Sequence, residues 1–305
     1  MPSTYLQAGE YAAYGAPAST TAAQVSQASV LIDAYLKRTE GLVWLPDSAG
    51  NPGWMAALTP RLTLLAPGGV APGENVVVPV TGGIQAVAIG DALILDRASS
   101  QLSEVVVVGG MTTNPATVTL VSVVNNHAAG VALDQGMVLK QHLFMPKDRP
   151  VKNLAYTPVV RLLSGQGRYA YGRRGDSSRY MVDEFNLLAS LTAFGGPPAW
   201  EFFPLQSTGI DPETGQVWVP AGVMLAYYSE VNLWYVAGYA QANLPDAIKF
   251  ACAQLITAVI NYPQIAGGAI KSFKAGDTAI QMFAATLLSD DTKRQLGPFR
   301  AKLFV

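Results

Sequence analysis

Charged residues are scarce in this sequence, and neither sign dominates. They make up 13% of the 305 residues, about half of the roughly 25% found in an average soluble protein. The net charge of −1 argues against a general nucleic-acid binder, because such a protein carries a basic excess. An isolated monomer with so few charges would expose much uncharged surface, so we expect partner subunits to cover part of it.

Paired cysteines, a targeting segment and a long apolar run are also lacking. The single cysteine, Cys252, excludes an internal disulfide, and its apolar helical surroundings predict a buried, unreactive thiol. The N-terminus has no basic stretch followed by an apolar one, as a signal peptide would. No run reaches the roughly 18 apolar residues of a membrane helix. We therefore expect synthesis in the cytoplasm and no membrane contact.

The residue patterns that carry catalytic or metal chemistry are missing too. His127 and His142 are the only two histidines, and they form no zinc-binding spacing with cysteine. We interpret His127 as a turn residue that bonds local backbone and His142 as a residue on the polar side of a strand. Nucleophile-elbow, phosphate-loop and calcium-loop motifs are absent. The sequence therefore predicts no enzyme, no cofactor and no metal site.

Helical patterns are present at both ends of the chain. Residues 21–39 carry an apolar stripe at helical spacing after a threonine cap, with Lys37 and Arg38 in the last turn and Gly41 beyond it. A second helix is predicted to begin at Pro245. Residues 279–288 are read as a helical piece. A short final helix follows the cap at Ser289 and ends at Gly297, which frees a tail.

Between these helices the pattern is that of β-structure. Residues 61–144 hold six short β-branched runs, and residues 150–240 hold less regular ones, with a hairpin signal at DPETG. We predict an α+β chain with a composite helical body from residues 1–57 and 241–305. The inserted β-rich region would comprise a β domain at 58–145 and a second region at 150–240, as one or two small sandwiches or barrels or as one larger domain. The six runs are LTLLA, NVVVPV, DALILD, EVVVVGG, ATVTLVSVV and GMVLKQHLF.

An arginine-rich segment with interleaved tyrosines lies inside the second β-rich region. Arginine and tyrosine together suit interfaces and phosphate contacts, because the guanidinium plane both stacks and donates paired hydrogen bonds. The segment is predicted either to contact DNA or a neighbouring subunit, or to be a hairpin whose arginines face water. Its arginines are Arg168, Arg173, Arg174 and Arg179.

The C-terminal segment alternates cations with large apolar side chains. A terminus of this composition is predicted either to dock on the core of its own chain or to insert into a partner. The residues assigned to partner binding are Arg294, Phe299, Arg300, Lys302 and Phe304.

Two passages resemble phage head-to-tail connector proteins, the adaptors that bind below the portal. The run VSQASVLIDAYLKRTEGL is similar to the first helix of that family. The run YVAGYAQANLPDAIKFACAQLI is similar to its passage from the β region into the second helix. The resemblance covers residues 21–42 and 235–256. The segments GIDPETGQVWVPAG and DALILDRASSQLSEVVVV look like parts of larger, β-decorated connectors.

The resemblance implies a virion protein of the neck between head and tail. It implies a ring of about twelve copies docked on the portal protein, with a stopper or tail-completion protein on the opposite face. The helices would surround a channel that genomic DNA crosses, and the C-terminal segment would insert against the portal. Two alternatives stay open: another β-rich neck or tail protein, such as a tail terminator or decoration protein, and a carbohydrate-binding or hydrolytic β domain using Trp200, Trp218 and Trp234.

Overall fold

The chain is a mixed α+β protein in which strands predominate. The computed structural model describes residues 4–145, 151–168, 199–220, 228–261, 272–275, 278–281 and 288–302. The described residues form two compact units. The helical unit draws on Met1–Leu45, Met55–Leu58 and Gly238–Lys302, and the β unit on Pro46–Trp54 and Thr59–Ala237.

The helices belong to the helical unit, and most strands belong to the β unit. The helices are α1 (Ala22–Leu36), α2 (Asp246–Asn261) and α3 (Asp290–Leu296). The strands of the first half are β1 (Val43–Pro46), β2 (Pro52–Met55), β3 (Leu62–Ala66), β4 (Gly73–Pro79), β5 (Ala92–Leu95), β6 (Glu104–Thr113), β7 (Ala116–Val123), β8 (Val131–Gln135) and β9 (Leu139–Phe144). Those of the second half are β10 (Val151–Asn153), β11 (Val159–Arg168), β12 (Glu201–Phe202), β13 (Gly209–Ile210), β14 (Gln216–Trp218), β15 (Glu230–Ala237), β16 (Tyr239–Ala240), β17 (Ser272–Ala275) and β18 (Thr278–Gln281).

Helix α1 begins where its sequence places a cap. The side chain of Thr21 accepts a hydrogen bond from the backbone N–H of Gln24, and the Gln24 side chain bonds back to the Thr21 N–H. This reciprocal capping box satisfies two of the otherwise unpaired donors of the first turn. The helix ends earlier than predicted, because Lys37 adopts a left-handed conformation with φ of 56°. Arg38 therefore lies beyond the helix, where it is buried.

The core of the helical unit is formed by one face of α1, one face of α2 and part of α3. Its members include Val25, Ile32, Leu36, Ile248, Ala251, Cys252, Leu255 and Leu296, all nearly inaccessible to solvent. Strand β1 adds to this unit by parallel pairing of Val43 with Tyr239 in β16. The prediction of a buried Cys252 is confirmed, and burial raises the pKa of its thiol to about 12.

Six strands of the β unit form a sheet that closes on itself, which we call the barrel. Its order is β3-β8-β5-β6-β7-β4. The open ends meet where Leu65 in β3 and Thr81, just after β4, exchange backbone hydrogen bonds of 3.0 and 2.9 Å. This single bridge joins the two end strands of the sheet at one point. The interior holds Leu64, Val78, Leu93, Val106, Leu120 and Leu133, each at most 1% exposed.

Strand β8 completes the barrel, although the sequence pattern does not predict it. Its segment VALDQ ends in two polar residues, Asp134 and Gln135, and aspartate is depleted in strands. In the structure both are buried and bonded: Asp134 accepts hydrogen bonds from Thr63 Oγ1 (2.5 Å) and Arg97 Nε (2.8 Å). Side-chain partners from other segments of the chain thus stabilise polar residues that local propensity disfavours in a strand.

A four-stranded sheet of order β12-β11-β15-β9 forms the second part of the β unit. Strand β9, at the end of the first predicted β region, pairs antiparallel with β15 of the second region, Leu143 opposite Val231. The two predicted β regions therefore share a sheet. The predicted hairpin at DPETG is confirmed by the antiparallel pair β13 and β14, with Gly215 at a φ of 72° in its turn.

The helical piece predicted over residues 279–288 is wrong where the structure describes its first part. Residues 279–281 belong to β18, which pairs antiparallel with β17, and residues 282–287 lie outside the described residues. The alternation of Thr278 and Ile280 with smaller or polar residues suits a strand, because both side chains are branched at Cβ. The final helix ends before Gly297, as predicted, and the contacts of the residues that follow are described below.

Candidate partner-binding surfaces

The C-terminal segment, residues 289–302, is held onto the helical unit by α3. The side chain of Ser289 caps α3 by accepting a hydrogen bond from the N–H of Thr292. The Thr292 hydroxyl in turn donates to Gln254 Oε1 of α2 at 2.6 Å. Leu296, at the other end of the helix, is completely buried in the core. These contacts hold the C-terminal segment on the helical unit. The partner-binding residues predicted in this segment therefore start from a fixed backbone.

Beyond α3, the chain stays on the helical unit. The ring of Phe299 packs edge-on against Tyr239, with ring centroids 6.2 Å apart. The Arg300 guanidinium lies 5.7 Å from the centroid of the Tyr35 ring, a cation–π arrangement. The N–H of Ala301 donates to the carbonyl of Leu36 at 2.9 Å. Of the two predicted arrangements of the tail, the described residues adopt docking on their own unit.

The remaining predicted partner-binding residues differ in exposure. The side chain of Arg294 is 84% exposed, and it forms a long ion pair of 3.7 Å with Asp291, which is itself exposed. Lys302 is also exposed, whereas Phe304 lies outside the described residues. The C-terminal segment thus presents cations to solvent while its apolar side chains face the helical unit.

A second surface lies where β9, β11 and β15 end together. Phe144, Glu230 and Arg168 occupy one row across the three strands. Together with His142 and Trp200 they form what we call the strand-end cluster. Phe144 is 62% exposed, and its ring packs edge-on against His142 at 4.8 Å. The cluster therefore combines an exposed aromatic ring with a group of charged side chains.

Arg168 is engaged inside the strand-end cluster. Its Nε and Nη2 atoms donate to Glu230 Oε2 at 3.0 and 2.6 Å, and its guanidinium lies 4.7 Å from the centroid of the Trp200 ring. Glu230 is only 2% exposed, so the arginine neutralises a buried carboxylate. Neither of the two predictions for Arg168, contact with a partner or exposure to water, includes this carboxylate, which lies 62 residues away along the chain.

The other three arginines of the predicted patch lie outside the described residues. Arg173, Arg174 and Arg179 belong to residues 169–198, which follow Arg168 directly and precede Ala199. Both attachment points of that stretch are therefore next to the strand-end cluster.

One buried ionic group was not predicted. His127 lies with Nδ1 at 2.6 Å from Asp96 Oδ2 and with Nε2 at 2.6 Å from Glu104 Oε1. Its side chain is completely inaccessible, so the imidazole cannot meet an external substrate. The prediction that His127 bonds local backbone is therefore incomplete. The carboxylates are 31 and 23 residues away in sequence, and no local motif indicates them.

The three tryptophans considered for a sugar platform are not equivalent. Trp234 is 2% exposed and donates its indole N–H to Asp91 Oδ1 at 3.2 Å, so it belongs to the core. Trp200 packs under Arg168. Trp218 is 55% exposed and alone among the three presents a ring largely to solvent.

Searches beyond the chain itself give no relative. No known protein family, no curated protein and no solved structure matches the sequence or fold. Within the described ranges, no group of three or more His, Cys, Asp or Glu side chains is arranged to hold a metal ion. The described helices include none with the length and hydrophobicity needed to cross a lipid bilayer.

Proposed function

We propose that this chain is a structural protein of a tailed-phage virion, an adaptor that docks on the portal as a ring and joins the capsid to the tail. The observation that carries the proposal is the packing of α1 against α2. The two passages that resemble connector proteins lie far apart in sequence, yet their helical parts supply opposite walls of one core. In this proposal the helical unit, formed by both chain ends, is the adaptor body.

The outward face of α1 supports assembly with copies of the same chain. The helix holds one charged residue, Asp33, and that residue is buried. Its solvent-facing positions include Ala23, Gln27, Val30 and Ala34, with Val30 49% exposed. An uncharged helix face is favourable in a subunit interface, because no ion has to be desolvated when it is covered. A homo-oligomeric ring of about twelve copies would bury such faces.

The exposed cations of the C-terminal segment are the proposed portal contacts. Arg294 and Lys302 would meet acidic groups of the portal protein, while Phe299 and Arg300 hold the segment in place. A stopper or tail-completion protein would bind elsewhere on the ring. Contact with genomic DNA, if the ring channel provides it, rests on Arg173, Arg174 and Arg179, because Arg168 already neutralises Glu230.

The test of portal docking uses the full chain and portal rings of the same phage. Native mass spectrometry should detect either a ring of the free chain or a defined number of copies bound to each portal ring. The double reversal Arg294→Glu with Lys302→Glu should weaken portal binding at least about tenfold, because rim charges of one sign steer and fix such contacts. The matched control is Lys152→Glu on β10 of the β unit, which should bind normally.

Two results would contradict the adaptor proposal in different ways. Failure of the unmodified chain to bind portal rings at all removes the adaptor function. Normal binding of the double reversal, with its fold checked by circular dichroism, removes only the assignment of the C-terminal segment. Deleting residues 297–305 is the less specific experiment, because it also removes the packing of Phe299 on Tyr239.

The arginine-rich stretch needs its own experiment. Reversing Arg173 and Arg174 to glutamate should reduce DNA retention in filled particles or ring assembly. Unchanged assembly together with unchanged retention would remove the functional interpretation of these residues.

A different virion position is the second candidate, and the closed barrel favours it. Tail terminators and decoration proteins would be built mainly from β-sheet, as the larger unit of this chain is. Locating the protein in particles by electron microscopy with a labelled chain distinguishes the neck from the tail or the capsid surface. A carbohydrate-binding domain is less well supported, since only Trp218 of the three tryptophans is mostly exposed.

A further inference from the structure

His127 bridges two acidic side chains in the interior of the barrel end. Its two ring nitrogens each lie 2.6 Å from a carboxylate oxygen, Nδ1 from Asp96 and Nε2 from Glu104. The imidazole is 0% exposed, and the carboxylates are 28% and 9% exposed. Both contacts have the short length of charge-assisted hydrogen bonds.

The geometry fixes the number of protons that the group needs. An ionised carboxylate can only accept a hydrogen bond, and a neutral imidazole has one donor and one acceptor nitrogen. A neutral His127 would therefore set an acceptor against an acceptor at one of its two contacts. Two N–H donors on the ring satisfy both carboxylates, and they reduce the charge of the buried group from −2 to −1.

The same group holds a segment of backbone in place. Glu104 accepts the N–H groups of Val124 and Asn125, both at 2.9 Å. The N–H of His127 donates to the carbonyl of Val70 at 2.8 Å, and the Val70 N–H donates back at 3.1 Å. Residues 124–130, which we call the latch segment, are thereby tied to β6 and to the connection between β3 and β4.

We propose that Asp96, His127 and Glu104 form a proton-dependent latch. The latch is closed while the ring carries both protons and the two carboxylates are ionised. Loss of one ring proton as the pH rises leaves two buried carboxylates competing for one donor, and the latch segment separates from β6. This latch is a property beyond the adaptor function, and it does not depend on the adaptor proposal being correct.

Neighbouring charges do not replace the missing proton. Arg97 follows Asp96 in sequence, but its Nε donates to Asp134 at 2.8 Å. Residues 67–72, which face His127 through Val70, contain no titratable side chain. Asp47, which lies beside the Asn125 partner Ser48 in sequence, is paired with Arg161. Among the described residues around the latch, the two charged neighbours Arg97 and Asp47 are thus engaged elsewhere.

The direct test is the protonation of the ring in the unmodified full chain. Nitrogen NMR of chain labelled at histidine should show His127 with both nitrogens protonated at pH 7 and with slowly exchanging ring protons. His142, which is 38% exposed, serves as the internal reference for an accessible ring. A single protonated nitrogen on His127 at pH 7 would overturn the proposal.

The functional test is hydrogen exchange across the pH range. After correction for intrinsic exchange rates, opening at the amides of Val124 and Asn125 should increase about tenfold per pH unit over the range in which the closed segment keeps the second ring proton and the open segment has released it. The amides of Val106 and Leu133 in the barrel should show no such slope. Equal slopes at all four amides would indicate general loosening and contradict the latch.

The variant Asp96→Asn separates the latch from simple destabilisation. An amide nitrogen in place of Asp96 Oδ2 can donate to Nδ1 of a neutral imidazole, whose Nε2–H still donates to Glu104, so the closed state no longer needs the second ring proton. The segment should stay protected, and the tenfold slope per pH unit should fall to nearly zero. A slope unchanged from that of the unmodified chain would overturn the proposal.

Discussion

The hydroxyl of Tyr5 donates a hydrogen bond to Oδ1 of Asp33 inside the core of the helical unit. Burial raises the pKa of Asp33 from 3.8 to about 7, an effect that the Tyr5 hydrogen bond and the nearby Arg38 only partly offset. Between these two values the folded chain binds more protons than the unfolded chain. The free energy of unfolding contributed by this site is therefore full below about pH 4, falls as the pH rises and stays low above about pH 7.

Replacing Asp33 by Asn should abolish this loss. The variant keeps an oxygen acceptor for Tyr5, cannot ionise and should be more stable than the unmodified chain at pH 8 by on the order of 2–4 kcal/mol. The difference should shrink toward pH 4. Urea unfolding of the full chain, followed by exchange of core amides in α1, measures it. The control Asp291→Asn, at a side chain 87% exposed, should leave the pH dependence unchanged, and an equal effect there would contradict the assignment to Asp33.

A pair of glycines near the latch segment tests the close approach of two backbone segments. Gly69 and Gly130 have similar positive φ angles of +74° and +83°. A Cβ on Gly69 would lie 2.6 Å from the carbonyl oxygen of His127, whereas one on Gly130 would meet nothing within 4 Å. Both alanine variants carry the left-handed strain of about 1 kcal/mol. Gly69→Ala should lose at least about 2 kcal/mol more in addition, because the clash displaces backbone. If thermal unfolding shows equal losses of stability for Gly69→Ala and Gly130→Ala, the clash at Gly69 is relieved without cost.

The docking of the C-terminal segment predicts a contrast between Leu296 and Arg294. Leu296→Ala removes a fully buried side chain and should destabilise the helical unit by about 2–4 kcal/mol. Arg294→Ala, at a position 84% exposed, should leave the unfolding midpoint unchanged. Denaturant unfolding, monitored by exchange of α2 amides, provides the comparison. An unaffected midpoint in the leucine variant would mean that the segment is not part of the folded helical unit in solution.

The helix ends and strand runs that sequence predicts well are those governed by local rules. The Thr21 and Ser289 caps depend on one side chain and the turn that follows it, and both are observed. Apolar alternation likewise indicates most barrel strands. The left-handed Lys37 is not predictable in this way, since Gly41 is the residue that local preference favours for that conformation.

What sequence missed depends on contacts between distant residues. Strand β8 is stabilised through Asp134, whose partners Thr63 and Arg97 are on other segments. The role of Arg168 depends on Glu230, and that of His127 depends on Asp96 and Glu104. No periodicity or spacing in a single sequence reports such pairs. For this reason, the predictions that the structure corrects most concern charged residues whose partners are distant in sequence.

The pair of Arg168 and Glu230 supports a final prediction about the strand-end cluster. Glu230 is 2% exposed, and the arginine donates two hydrogen bonds to it. Arg168→Met should destabilise the β unit by about 3 kcal/mol, because it leaves a buried carboxylate without its main counter-ion. Adding Glu230→Gln should recover more than half of that loss, since the neutral amide needs no counter-ion. The stability of Arg168→Lys should lie between those of Arg168→Met and the double variant, because an ammonium retains the charge but loses the planar stacking on Trp200. Tryptophan fluorescence during urea unfolding reports the midpoints. A double variant no more stable than Arg168→Met would show that the arginine acts through its packing on Trp200 rather than through the buried charge.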